Sequence, residues 1–463
     1  MPSLKSLAIW ATPITGLLLW LLASTSGMPQ QAAITLAITW VTAVWWMTGA
    51  IPIPAASLVP IALLPFFGIL PAKTIVAQSY GHPLILLLLG GFLLSKSLEQ
   101  SGVHRRLALA MVRACGGSGG KGLILGFMIA GALLSMWISN TATTLMLLPI
   151  ALAILANSKD QAQLAAPLML GIAYSCSIGG LGSPIGTPPN LVFIEQYREF
   201  SGIEMTFVQW MSFGVPIVLM MIPLVWLWLT RNLHRGQSLE LPESGPWSSA
   251  ERRTLIVFAL TALAWITRSE PFGGWSAWLH LSGVNDASVA FIGVLLLFVI
   301  PNGQTSEDQK GQLLDAKVFE EIPWGILLLF GGGICLAAGI KESGLSGSAA
   351  ALLSGVGTLP ILVIILLICL LMTFVTELTS NTASTILMMP ILGSIALANQ
   401  LDPKLLMLPA ALSASCAFML PVATAPNAVV FGSGHLTVSR MLREGLVLNF
   451  MGAVVIGLYC WLA

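Results

Sequence analysis

The sequence predicts an all-α polytopic membrane protein with about 11 transmembrane helices and two re-entrant hairpins in an inverted repeat. Three observations carry this prediction. The 463 residues are 56% hydrophobic and only 8% charged, with mean hydropathy +0.89. A soluble domain carries about 25% charged residues, so this chain lacks the polar surface to cover its own core. Two long apolar regions are interrupted by the same polar tripeptide. Those regions, with their neighbours, recur at one fixed offset.

Apolar stretches of spanning or near-spanning length fall at 7–22, 33–50, 53–70, 83–98, 164–182, 207–230, 254–267, 287–300, 324–340, 405–433 and 446–462. The N-terminal run MPSLKSLAIW has no A-x-A-like cleavage site, so 7–22 reads as a retained first span. Region 122–156 is interrupted at Ser139-Asn140-Thr141, and region 359–398 at Ser380-Asn381-Thr382. Each half of the first region is about 16 residues, or about 24 Å of helix, short of a hydrocarbon core of about 30 Å. Half-length helices meeting at a polar tip describe a re-entrant hairpin. Its non-helical backbone is tolerated at membrane depth only where protein or a water-filled cavity satisfies it.

Charge fixes the sidedness. With the N-terminus in the cytoplasm and both hairpins returning to their own side, the cytoplasm receives Lys5, Lys96, Arg105, Arg106, Arg113, Lys121, Lys159, Arg231, Arg235, Arg252, Arg253, Lys310, Lys317, Arg440 and Arg443. The other side receives Lys73, Arg198, Arg268, Lys341 and Lys404, and the C-terminus. Fifteen against five is a positive-inside bias. The polar loops 232–252 and 302–322 both fall inside.

The repeat is explicit. Ile85-Leu-Leu-Leu-Leu-Gly-Gly-Phe92 returns as Ile326-Leu-Leu-Leu-Phe-Gly-Gly-Gly333, Ser139-Asn-Thr-Ala-Thr-Thr144 as Ser380-Asn-Thr-Ala-Ser-Thr385, and Pro149-Ile150 as Pro390-Ile391. The offsets 326−85, 380−139 and 390−149 all equal 241. Thr187-Pro-Pro-Asn190 returns as Thr424-Ala-Pro-Asn427 at 427−190 = 237. Five crossings separate equivalent spans, and an odd number inverts the copy. The chain therefore reads as a first span at 1–30, a first repeat at 31–232 with spans 2–6 and an inner hairpin at 122–156, a cytoplasmic linker at 233–252, and a second repeat at 253–463 with spans 7–11 and an outer hairpin at 359–398. Inverted repeats with paired broken helices are the architecture of secondary transporters, with the site at the repeat interface.

Ser, Asn and Thr are poor helix formers whose side chains compete for backbone hydrogen bonds. At facing hairpin tips they offer donors to a ligand, and freed carbonyls there can coordinate a hard cation such as sodium. Residues 179–190 are dense in Gly and Pro, and their partner 420–427 holds Pro421 and Pro426, inside apolar surroundings, so both helices are expected to unwind there. Other classes find no support. A net charge of +1 without basic runs excludes a nucleic-acid partner. The six cysteines form no CxxC pair, and the five histidines are scattered with no HExxH. No enzyme nucleophile–base pair stands out. Glu377, three positions before Ser380, reads first as a hydrogen-bonded structural acid holding the hairpin, with a proton or sodium role as the alternative.

The paired Ser-Asn-Thr tripeptides, the stretch Thr376-Glu-Leu-Thr-Ser-Asn-Thr382 and the run Ala414-Ser-x-x-Phe418-x-x-Pro421-Val-Ala423-x-x-x-Asn427-x-Val-Val430 resemble the divalent anion/sodium symporter family over nearly the whole chain. The resemblance implies a homodimer in a bacterial inner membrane, built on scaffold domains, with an elevator motion of a transport domain. It implies sodium-coupled import of C4-dicarboxylates such as succinate; the alternatives on the same fold are a sodium-independent di- or tricarboxylate exchanger and a sulfate transporter. Carried over by residue, the substrate would meet Asn140, Thr141, Thr187, Asn381, Thr382 and Pro426. One sodium would use Ser135, Ser139, Asn140 and Gly186, and a second Thr376, Thr379, Asn381, Ala423 and Thr424. None of 135–144, 179–190, 376–385 or 420–427 contains Lys or Arg, so the charge that balances a dianion is expected to enter as sodium.

Overall fold

The structure, a computed structural model, describes residues 4–116, 119–156, 158, 161–233, 245–270, 272–281, 283–304, 311–345 and 360–463. Lys159, His234, Arg235 and Lys310, with parts of the 232–252 and 302–322 loops, lie outside the described residues. The first half carries α1 (Leu4–Thr25), α2 (Gln30–Thr48), α3 (Ile53–Ala56), α4 (Leu58–Phe66), α5 (Ala72–Gln78), α6 (Pro83–Ser101), α7 (Val103–Gly116), α8 (Gly120–Ser135), α9 (Asn140–Ala156), α10 (Gln161–Gly179), α11 (Pro188–Ser201) and α12 (Phe207–Thr230). The second half carries α13 (Ser249–Ile266), α14 (Gly274–Trp278), α15 (Asp286–Val299), α16 (Val318–Glu321), α17 (Trp324–Glu342), α18 (Ile361–Thr376), α19 (Asn381–Ala398), α20 (Lys404–Ala414), α21 (Ala425–Phe431) and α22 (Val438–Leu462). Among the described residues the only β contact is an isolated bridge between Pro301 and Gln312.

Among the described residues seven helices are long and apolar enough to cross a bilayer, and six shorter apolar helices accompany them. Two stretches read as single spans are divided. The 53–70 stretch is interrupted at Ser57, because Pro60 has no N–H for the Ala56 carbonyl; the Ser57 hydroxyl accepts from Trp46 Nε1 at 3.0 Å. Trp46 is buried. The 405–433 stretch splits into α20 and α21. Arg106 holds Glu251 at 2.9 Å and the carbonyls of Gly245 and Pro246.

The duplication extends to helix boundaries. Helix α6 maps onto α17 (324−83 = 342−101 = 241), α8 onto α18 (361−120 = 376−135 = 241), and the start of α9 onto that of α19 (381−140 = 241). Packing repeats under exchange of the halves: α11 packs on α19 and α20, while α21 packs on α9 and α10. The helices form two groups. Helices α1–α6 and α13–α17 pack through α6 on α15 and α17 on α2, α3 and α4. Helices α7–α12 and α18–α22 pack through α8 on α10 and α18 on α20 and α22. At the centre of the second group α10 is buried from Leu164 to Gly179. Its approach to α8 is backbone to backbone: a Cβ on Gly179 would collide with the Ala132 carbonyl oxygen.

Candidate functional site

Both hairpin tips are built by the same local chemistry. Helix α8 stops at Ser135 and α9 starts at Asn140; α18 stops at Thr376 and α19 starts at Asn381. Ser139 Oγ accepts from the Ala142 N–H at 3.3 Å, and Ser380 Oγ from the Ala383 N–H at 3.4 Å. The serine of each tripeptide thus caps the returning helix. One turn on, Thr144 and Thr385 donate to the Asn140 and Asn381 carbonyls at 2.8 and 2.7 Å.

The second pair of breaks is equally matched. Between α10 and α11, and between α20 and α21, the backbone is unwound, and Thr187 and Thr424 precede the next helix in extended conformation. Asn190 Nδ2 donates to the carbonyls of Gly180 at 2.8 Å and Ser183 at 2.7 Å. Asn427 Nδ2 donates to those of Ala417 at 3.1 Å and Leu420 at 3.0 Å. All three residues shift by 237, so each asparagine fastens its own loop. Pro188 and Ala425 differ, but both stand at the first helical position, where a missing N–H costs nothing. Truncating either asparagine takes the side-chain donor from one buried carbonyl, Gly180 or Ala417, at about 1–3 kcal/mol, while the Ser183 and Leu420 carbonyls keep the Gly186 and Ala423 N–H groups. Asn190→Ala and Asn427→Ala are therefore expected to lower the melting temperature of the detergent-purified protein, measured by differential scanning fluorimetry.

Helices α9, α11, α19 and the short α21 all begin on the wall of one cavity of about 840 Å³. Every predicted substrate residue lines it: Asn140, Thr141, Thr187, Asn381, Thr382 and Pro426. Of the predicted sodium residues, Ser139, Asn140, Gly186, Asn381, Ala423 and Thr424 reach the same wall; Ser135, Thr376 and Thr379 do not line it. The Asn140 amide sits among three oxygens, Ser135 Oγ at 2.5 Å and the carbonyls of Cys176 and Gly186 at 3.2 and 3.3 Å. In the second repeat Asn381 Oδ1 is buried without a hydrogen-bond partner. Thr376 Oγ1 donates to the Met372 carbonyl at 2.9 Å, and Thr379 Oγ1 lies 2.6 Å from Ser384 Oγ. These tips are oxygen-rich and free of cationic side chains, a donor set suited to a hard cation. Among the described residues no cluster of His, Cys, Asp and Glu is suited to a transition metal.

Sequence reasoning missed part of the lining. Ser177 lines the cavity with its buried Oγ unpartnered; a serine inside an apolar helix gives no local signal. One end of the cavity is charged, with Lys96, Glu99, His104 and Glu321. Lys96 Nζ is held 2.6 Å from Glu99 and 3.8 Å from Glu321. Burial pushes the His104 imidazole below its usual value, so it adds no positive charge at neutral pH. The lining therefore holds one lysine against two carboxylates. Glu377 lies outside the lining and holds backbone N–H groups of the α20–α21 break, as its reading as a structural acid anticipates.

Comparison with known proteins places this geometry. The sodium:sulfate symporter transmembrane region matches residues 5–462. The chain is 40% identical to the sodium-dependent dicarboxylate transporter SdcS of Staphylococcus aureus (strain USA300), over 96% of this chain and 88% of that protein. It is 39% identical to the protein of that name in Staphylococcus saprophyticus, with the same coverage. Its fold is similar to that of the YdaH transporter of Alcanivorax borkumensis, with a TM-score of 0.59 at 16% identity over 87% of this chain and 89% of that one. It is also similar to MtrF of Neisseria gonorrhoeae, with a TM-score of 0.50 at 13% identity over 94% and 95%. With a family match along almost its entire length and relatives at 40% identity, the chain belongs to the sodium:sulfate symporter family of membrane transporters, the divalent anion/sodium symporters that its paired tripeptides resemble.

Proposed function

We propose that the protein is a sodium-coupled symporter that imports C4-dicarboxylates such as succinate across the bacterial inner membrane. The observation that carries this reading is that both Ser-Asn-Thr tips and both unwound segments, one of each from each repeat, line one cavity. A substrate with a carboxylate at each end matches two equivalent amide and hydroxyl clusters, and the N-termini of α9, α11 and α19 add partial positive charge. The printed names of the SdcS relatives, sodium-dependent dicarboxylate transporters, support the same substrate class.

In this reading two or more sodium ions bind, one by Ser135, Ser139, Asn140 and Gly186 and one by Thr376, Thr379, Asn381, Ala423 and Thr424. The two repeats, 31–232 and 253–463, are inverted about the membrane plane, the N-terminus is cytoplasmic and the C-terminus outside. The division into two packing groups supports an elevator motion, with α7–α12 and α18–α22 moving against a scaffold that forms a homodimer. The positive-inside bias puts the charged end of the cavity, at Lys96, toward the cytoplasm. On the far face Lys341–Glu199 at 3.2 Å and His82–Glu195 at 3.1 Å bridge the two groups, which supports an inward-open arrangement.

The test is uptake of labelled succinate into proteoliposomes with and without a sodium gradient, challenged with malate, fumarate, citrate and sulfate. Sodium-driven uptake blocked by malate and fumarate is expected. Competition by sulfate alone would move the protein to the sulfate transporters, and uptake driven only by internal anion would make it an exchanger.

A further inference from the structure

We propose that Glu377 and Asn449 are positioning residues that set the sodium dependence of transport, by fixing the unwound backbone after α20 to the tip of the outer hairpin. The proposal rests on the sodium-coupled reading above.

Between α20 and α21 residues 415–418 are buried and the N–H groups of Phe418, Met419 and Leu420 take no backbone acceptor, so they need side-chain partners. Three successive N–H groups find them on other helices. Phe418 donates to Asn449 Oδ1 at 3.2 Å, Met419 to Glu377 Oε1 at 2.8 Å and Leu420 to Glu377 Oε2 at 2.9 Å. Asn449 Nδ2 in turn donates to Glu377 Oε1 at 2.7 Å. The carbonyls are tied as well, Phe418 by the Tyr174 hydroxyl at 2.7 Å and Ala417 and Leu420 by Asn427. Glu377, Asn449 and Tyr174 are all buried. Helix α22 reaches the segment through Gly445, where a Cβ would collide with the Phe418 carbonyl oxygen.

What this clamp joins gives it a function. Glu377 lies between Thr376 and Thr379 on the outer hairpin, and its carboxylate grips the chain three residues before Ala423. Those two stretches together supply the proposed second sodium site, and neither Glu377 nor Asn449 lines the cavity. Both carboxylate oxygens are already engaged by N–H donors, so Glu377 acts through the backbone it holds. The first repeat is fastened differently. Met136 occupies the position equivalent to Glu377 (377−136 = 241), and its carbonyl accepts from Ser183 Oγ, so the side chain comes from the unwound segment. The two cation sites are therefore held by different chemistry and are separable by mutation.

The experiment measures sodium-dependent succinate uptake by full-length Glu377→Gln, Asn449→Ala and the double variant Glu377→Gln/Asn449→Asp in proteoliposomes. Thermal unfolding of each purified variant is recorded in parallel. A hydrogen bond to a charged group is strong enough that losing one acceptor is expected to raise half-saturating sodium about tenfold or more. Succinate KM at saturating sodium should stay near the wild-type value. The double variant keeps an acceptor for the Phe418 N–H and places a carboxylate where it accepts from the amide introduced at position 377. It should recover part of the sodium affinity. If Glu377→Gln does not fold, Asn449→Ala supplies the same readout. Unchanged half-saturating sodium in a folded variant, or a loss of maximal rate alone, overturns the proposal. Wild-type uptake indifferent to sodium would instead remove the coupling reading on which it rests.

Discussion

Uptake of labelled succinate is expected to be lost in Asn140→Ala and in Asn381→Ala, each singly, while both variants purify as folded protein. The two asparagines open the returning helices of the two hairpins at equivalent positions and line the same cavity. In the proposed site each contacts both the anion and a sodium ion. A hydrogen bond to a charged group is worth about 1.5–3 kcal/mol, so losing two such contacts lowers affinity by on the order of a hundredfold or more. The fold depends less on these side chains, although Asn140→Ala gives up the contacts with Ser135 Oγ and the Cys176 and Gly186 carbonyls. Ser139 and Ser380 continue to cap α9 and α19, and Asn381 Oδ1 has no protein partner to lose. Uptake in proteoliposomes beside size-exclusion chromatography checks both halves of the prediction. Near-normal uptake by either variant would take its hairpin tip out of the site.

Much of this architecture was legible because duplication turns weak local signals into a constant offset. A single Ser-Asn-Thr reads equally well as a polar helix contact, whereas two copies 241 residues apart, flanked by matching glycine and proline runs, locate both hairpins. The structure starts α9 and α19 at Asn140 and Asn381, inside those tripeptides. Less legible were features created only by packing. Trp46 reaches the Ser57 hydroxyl from another helix. Asn190 and Asn427 were visible as repeat markers, but their task of tying the carbonyls of their own loops needs three-dimensional proximity. Lys96, Glu99 and Glu321 meet at the cavity although Glu321 lies more than 200 residues away in the chain, and Asn449 clamps a turn 31 residues earlier. Such pairs carry no spacing signature.

In the proposed site sodium supplies the charge that the protein lacks. A dicarboxylate brings about two negative charges into a site where desolvation is costly. The cavity lining holds one lysine, already within 2.6 Å of Glu99, and two carboxylates, while helix N-termini offer only partial charge. Because coupling is reciprocal, sodium should tighten the anion and the anion should tighten sodium by one factor, typically about 5–150-fold. Isothermal calorimetry of succinate binding across a sodium series, with choline holding ionic strength constant, measures that factor directly. Succinate affinity is expected to climb with sodium and to fall toward undetectable in choline; equal affinity in sodium and in choline would contradict sodium coupling.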